Sequence, residues 1–156
     1  MTASNPRSTA KIAGHPIHPM VVPFPIVFFV SALVADLVFI SNGEPGWATA
    51  SMWLLGAGLI TAALAAVTGL TDFVGDARVR SLGDARMHMI GNVTAVVLEA
   101  VNLFLRYTGG AEVIGSTGVI LSGAAVLLLL FTGWKGGELV FRHRIGVADT
   151  DPASIG

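Results

Sequence analysis

The sequence predicts an all-α polytopic membrane protein, an antiparallel four-helix transmembrane bundle. Three observations predict it. Four apolar runs divide the chain at polar breaks, each close to the roughly 20 residues that a helix needs to cross a bilayer. Of 156 residues, 53% are hydrophobic and only 12% charged, with mean hydropathy +0.74, whereas a soluble domain carries about a quarter charged residues. All but one of the nine lysines and arginines fall at the two ends of the chain and the break between the second and third runs.

The same totals exclude several classes. A net charge of −1 offers no basic field for nucleic acid. The absence of cysteine removes disulfides, thiolate zinc sites, cysteine-ligated iron–sulfur clusters and a cysteine nucleophile. Residues 1–19 are polar and rich in proline and histidine, without the apolar core of a signal peptide. There is no phosphate loop, no Gly-x-Ser-x-Gly and no His-Glu-x-x-His, so no catalytic residue is assigned; enzymatic activity stays open, with a non-enzyme the favoured reading.

In chain order, residues 1–13 are a flexible N-terminal tail, 14–147 a single four-helix transmembrane domain, and 148–156 a flexible C-terminal tail. Gly14-His15-Pro16-Ile17-His18-Pro19-Met20 favours extended or turn backbone, because two prolines stand so close. Pro23 and Pro25 suit a first helical turn, which places the first span at about 21–40 with Asp36 as its single charge. Ser41 to Gly46 is a turn by composition. The second span, about 47–70, is uncharged and presents small residues at Gly58, Ala62, Ala66 and Gly69, which permit close helix approach. It ends at Thr71-Asp72-Phe73, before a polar loop from Gly75 to Ala85.

The third span, about 86–106, organises the rest. His88, Asn92, Ala95, Glu99, Asn102 and Arg106 recur at steps of 4, 3, 4, 3 and 4, which stacks them on one helix face. Polar groups on an isolated helix in lipid are expensive, so this face points at other helices. A turn at Tyr107 to Glu112 leads to the fourth span, about 113–134, with a small face at Gly115, Gly118, Ser122 and Ala125. Gly136-Gly137 is expected to interrupt it, with a short amphipathic piece, Glu138 to Arg144, beyond. Trp47 and Trp134 read as interfacial residues.

Orientation follows from lysine and arginine. Arg7, Lys11, Arg78, Arg80, Arg86, Lys135, Arg142 and Arg144 are eight of nine and fall on one side if the chain crosses four times. Both termini are therefore expected in the cytoplasm. His15, His18, Asp72, His88, Glu138 and His143 then lie at the cytoplasmic ends of the helices. Arg106 is about 27 Å along its helix from His88, and Asp36 about 24 Å from Met20, at 1.5 Å per residue. The matched depths predict an Asp36–Arg106 ion pair near the outer face, a device that fixes helix register more than it stabilises. Glu99 lies between the levels and needs a partner or a proton. Asn92 and Asn102 read as interhelical hydrogen-bonding groups.

The string GHPIHPMVVPFPI, the stop TGLTDF, His88 opening the third helix and WKGGELVFRHRIGV at the end resemble a bacterial membrane family, domain of unknown function 2231. The resemblance runs from about Gly14 to Val147. It implies a four-helix bacterial inner-membrane protein, and relatives fused to Rieske-type iron–sulfur domains imply redox company. The family pattern maps onto Gly14, His15, Pro16, His18, Pro19, Phe24, Pro25, Asp36, Asp72, His88, Gly136, Gly137, Glu138, Leu139, Val140, Arg142 and His143. Many relatives carry histidine where this chain has Pro23, which bears on whether a ligand is lost here.

Three functions are open on the sequence. One is a histidine-ligated cofactor at the cytoplasmic end, drawn from His15, His18, His88 and His143. Its first form is b-type haem in electron transfer, with His18 or His15 opposite His88 and Gly69 and Gly91 leaving room. Its second is a divalent metal on His18, His88, Glu138 or His143. Another is a cofactor-free structural or interaction subunit, with a redox membrane partner or a second copy of the chain as company. The third is a small proton-linked transporter using Glu99 and His88, for which no inverted repeat is visible.

Overall fold

The structure is a computed structural model that describes residues 4–147. The tail at 148–156 lies outside the described residues. Four helices long and apolar enough to cross a membrane dominate it, spanning Ile17–Asn42, Pro45–Gly75, Gly83–Gly109 and Ala111–Phe141. The first is built from α1 (Ile17–Val21) and α2 (Pro23–Asn42), joined through Val22, whose backbone stays helical and donates to the His18 carbonyl at 3.0 Å. Pro23 opens α2, where its fixed φ suits a first helical turn. Helix therefore starts at Ile17 and runs through the proline cluster rather than after it. Gly43, at φ 70°, closes α2 in the left-handed conformation that favours glycine.

Next come α3 (Pro45–Gly75), the short α4 (Ala77–Ser81) and α5 (Gly83–Gly109). A 3₁₀ turn at Ala111–Val113 and a widened π-helical turn at Ile114–Gly118 lead into α6 (Val119–Phe141). The expected interruption at Gly136-Gly137 does not occur. The helix passes through both glycines, and a Cβ at Gly136 would lie 3.1 Å from the His88 ring, so the missing side chain makes room for a neighbour.

The hairpins α2–α3 and α5–α6 pack against each other, closed by α2 against α6 and α3 against α5. The inward faces repeat in steps of three and four. They are Pro25, Phe29, Ala32 and Asp36 on α2; Ser51, Leu55, Gly58, Ala62 and Ala65 on α3; Ala95, Glu99, Asn102 and Arg106 on α5; Ser122, Ala125, Leu129 and Thr132 on α6. Left-handed bundles crossing near 20° use this repeat. The small faces expected on the second and fourth spans are displaced by one position at their ends: Ala65 is buried and Ala66 exposed, and Gly115 is exposed. At Gly58 a Cβ would come 2.7 Å from Phe29 Cδ1, so a missing methyl admits an aromatic ring. Val27, Val34, Ile60, Val97 and Leu127 face outward, as a lipid-facing surface requires.

Both described ends emerge at one end of the bundle. Gly146 N–H donates to the Pro6 carbonyl at 3.0 Å, and Asn5 Nδ2 to Val147 O at 3.3 Å. The N-terminal segment, expected to be loose, is tied down over residues 5–16. Asp72 on α3 accepts from Ser8 Oγ at 2.9 Å and from the amides of Thr9 and Ala10 at 2.7 and 2.8 Å. Lys11–Ile12 (β1) then pairs antiparallel with His15–Pro16 (β2). Sequence composition gave no sign of this anchoring, because the acceptor is more than 60 residues away.

Candidate functional site

Polar side chains inside the bundle occupy two levels, separated by an apolar layer of Phe29, Leu55, Ala95, Ala125 and Leu129. The level remote from the termini centres on Asp36 and Arg106, both wholly buried. The guanidinium grips the carboxylate with two bonds, Nη1–Oδ1 at 2.6 Å and Nη2–Oδ2 at 2.7 Å. The fork geometry of arginine matches a carboxylate in this way. Ser51 Oγ on α3 donates to Asp36 Oδ1 at 2.5 Å, and Ser122 Oγ on α6 to Oδ2 at 2.9 Å. Arg106 Nε donates to Asn102 Oδ1 at 2.8 Å. Asn102 Nδ2 reaches Glu99 Oε2 and Ser122 Oγ, each at 2.9 Å, and the Gly118 carbonyl at 3.2 Å. All four helices thus contribute to one closed network. Gly118 is required beside it, since a Cβ there would lie 3.3 Å from Arg106 Nε and 2.8 Å from Val113 O.

The level nearer the termini contains His18 and His88. Their ring centroids are 6.1 Å apart and their planes stand at 84°. His18 Nδ1 lies 2.8 Å from the Ala65 carbonyl on α3, and His88 Nδ1 2.8 Å from the Thr132 carbonyl on α6. A carbonyl only accepts, so each Nδ1 carries a proton, and the tautomer this selects for a neutral imidazole has its lone pair on Nε2. Glycines make space for both rings. A Cβ at Gly69 would sit 2.9 Å from His18 Nδ1, and one at Gly136 3.3 Å from His88 Nδ1. Asn92 Nδ2 donates to the His88 carbonyl at 2.7 Å, and its Oδ1 accepts from Thr132 Oγ1 at 3.3 Å. The space at Gly91, expected beside a porphyrin, is taken by the Thr132 methyl.

The other histidines stand apart from this pair. His15 is exposed, with Nδ1 3.0 Å from its neighbour's carbonyl, Ala13 O. His143 Nε2 lies 3.0 Å from Asp84 Oδ2, whose other oxygen accepts from Lys135 Nζ at 2.8 Å. Glu138 pairs with Arg142 at 3.1 Å across one turn. Among the described residues no three His, Cys, Asp or Glu side chains gather as a group able to hold a metal ion, so His18, His88 and Glu138 do not assemble as one ligand set. At the surface beyond, Asp76 accepts from Arg78 Nη2 at 2.8 Å and Arg78 N at 2.9 Å, and from the Arg7 amide at 3.3 Å. The Arg78 side chain above all, then its amide, holds the Asp76 carboxyl well below the usual carboxylate range.

Sequence reasoning missed Ser51, Thr132, Asp84 and Ser8. Ser51 had a signal, since it stands one heptad before Gly58 on the small-residue face. Asp84 is one turn before His88 and could have been found by extending the polar stripe backward.

The match to a protein family covers this whole arrangement. The model of a family of predicted membrane proteins, DUF2231, matches residues 14–149. This chain belongs to that family. No curated protein and no solved structure matches it. The DUF2231 region takes in both polar levels and every inward-facing residue named above, and leaves out only the anchored segment before Gly14 and the end of the C-terminal tail.

Proposed function

We propose that this DUF2231 protein is an inner-membrane electron-transfer protein that holds b-type haem between His18 and His88, at the cytoplasmic end of its bundle. The observation that carries the reading is the pair of imidazoles from two helices, 6.1 Å apart, each with its Nδ1 hydrogen given to a backbone carbonyl of a third or fourth helix. Ligating histidines are oriented in this way, because the outer hydrogen bond fixes the tautomer and raises the basicity of the other nitrogen. A metal–imidazole bond of about 2 Å puts the ring centre about 3 Å from the metal, so two rings flanking one ion stand about 6 Å apart.

Two imidazoles alone leave a bare divalent ion short of ligands. Two imidazoles would suffice as the protein's ligands to a haem, which brings its own porphyrin to the iron. Bound there, haem would supply reversible one-electron transfer. The protein's own part is to hold the two rings through Ala65 and Thr132, and to keep their backs clear through Gly69 and Gly136. The eight cations at the end carrying the termini support a cytoplasmic placement, and the family resemblance supports a redox partner in the membrane.

The test is an absorbance spectrum of the protein purified in detergent, oxidised and then reduced, after expression with a haem precursor. A Soret band with a sharp reduced α band is expected, lost in His88→Ala and in His18→Ala and kept in His15→Ala. A folded, colourless protein that takes up no added haem would instead favour a cofactor-free structural subunit, the reading that the closed Asp36–Arg106 network supports.

A further inference from the structure

The network around Asp36 and Arg106 is electrically complete without Glu99. All five N–H groups of the guanidinium are engaged: Nε with Asn102, Nη1 with Asp36 and Ser51, Nη2 with Asp36 and Ser122. Arginine has no sixth donor. Each Asp36 oxygen in turn receives one arginine bond and one serine bond. One positive and one negative charge therefore cancel. Glu99 stands beside this pair, fully buried, with a single bond at Oε2 from the neutral amide of Asn102. Its Oε1 is the one buried side-chain polar atom among the described residues without a hydrogen-bond partner. The charges that act on it are Asp36 from α2 and Arg106 from its own helix, with Asn102 as its hydrogen-bond donor; α3 and α6 bring only the hydroxyls of Ser51 and Ser122 to the network, and both are engaged with Asp36. None brings a cation that is not already used.

We propose that Glu99 is a proton-binding site, a carboxylic acid that holds one exchangeable hydrogen ion inside the membrane-embedded bundle. An ionised Glu99 would be a second, unpaired negative charge in a dry interior, which costs far more than burying the neutral acid. Binding is the simple association of a hydrogen ion with the carboxylate, and release is its reverse. On release, the vicinity of Asp36 and Arg106 goes from neutral to one net negative charge, so loss of the proton must accompany entry of water or a cation. The apolar layer of Leu55, Ala95, Ala125 and Leu129 lies between Glu99 and the histidine level. The site is thus independent of any cofactor there.

Infrared spectroscopy of the full-length protein in lipid nanodiscs tests this. At neutral pH a protonated-carboxyl carbonyl band, distinct from the carboxylate bands, is expected. It should vanish in Glu99→Gln and shift in frequency in Glu99→Asp, which also serves if the glutamine variant does not fold. Exchange into D₂O should shift it, and rising pH should abolish it as the proton leaves. A wild-type protein without the band, or a band unchanged in both variants, overturns the proposal.

Discussion

Arg106 shows how far one side chain can be determined by its neighbours. Its charge is tolerated only because Asp36 meets it through two bonds and Asn102, Ser51 and Ser122 take the remaining donors. Truncating one member strands the other. Asp36→Leu should destabilise the bundle by about 3–5 kcal/mol, whereas Asp36→Leu with Arg106→Met should recover much of that loss. Unfolding curves in detergent, with increasing denaturing surfactant, read both. A single variant no less stable than the pair of changes would show that the ion pair is not closed as described. The pairing of Asp36 with Arg106 was legible because two lone charges of opposite sign lay at equal depth in the first and third spans. The facing of His18 and His88 was legible only as one of two choices, His18 or His15 opposite His88, because both lie at the same level in the proline-rich lead-in and depth alone does not say which ring turns inward.

At the scale of elements, the helices were legible and their ends were not. Periodicity identifies a buried face, so the stripe on α5 could be read directly. A helix end depends on what packs beside it, which composition does not show: α3 continues past Asp72, which holds the N-terminal segment, and α6 past Gly136-Gly137, where Gly136 leaves room for the His88 ring. Glycine at helix contacts carries a specific expectation. Gly69→Ala should push the His18 ring away from the Ala65 carbonyl and cost about 1–3 kcal/mol through overpacking, while Gly133→Ala, which meets nothing within 4 Å, should keep stability or raise it by up to about 1 kcal/mol, as alanine does inside a helix. Thermal melts of the two variants decide it, and equal melts would remove the argument for Gly69 as a cradle. The N-terminal segment gives an expectation in pH. Its clasp on the loop uses Asp76, whose carboxyl is held well below its ordinary value of 3.8 by Arg78. A depressed folded value means that the contribution is full above the ordinary value and fades only as pH falls through the depressed one. Hydrogen exchange at the Arg7 amide should therefore stay slow from pH 7 down to the ordinary carboxylate range and rise only in stronger acid. Asp76→Asn should weaken protection across the whole range. Loss of protection in the wild type already at pH 5 would assign the clasp to other groups.

For the whole molecule, the distribution of charge follows from the bundle's internal pairing. Of nine lysines and arginines, the one remote from the termini is Arg106, and Asp36 cancels it inside the protein. The other eight belong to the segments at the end where residues 5–6 meet 146–147. Acidic residues at that end, Asp72, Asp76, Asp84 and Glu138, neutralise part of the charge, but carboxylates contribute little to topology. The full cationic asymmetry therefore favours holding this end in the cytoplasm. The chain contains no cysteine, so single cysteines report location without background. With a membrane-impermeant maleimide, Glu112→Cys should label in intact spheroplasts, and Ser4→Cys only once the membrane is opened or inverted. The opposite pattern would reverse the orientation and place the histidine level on the outer side. Labelling of both from the same side would contradict the four crossings themselves.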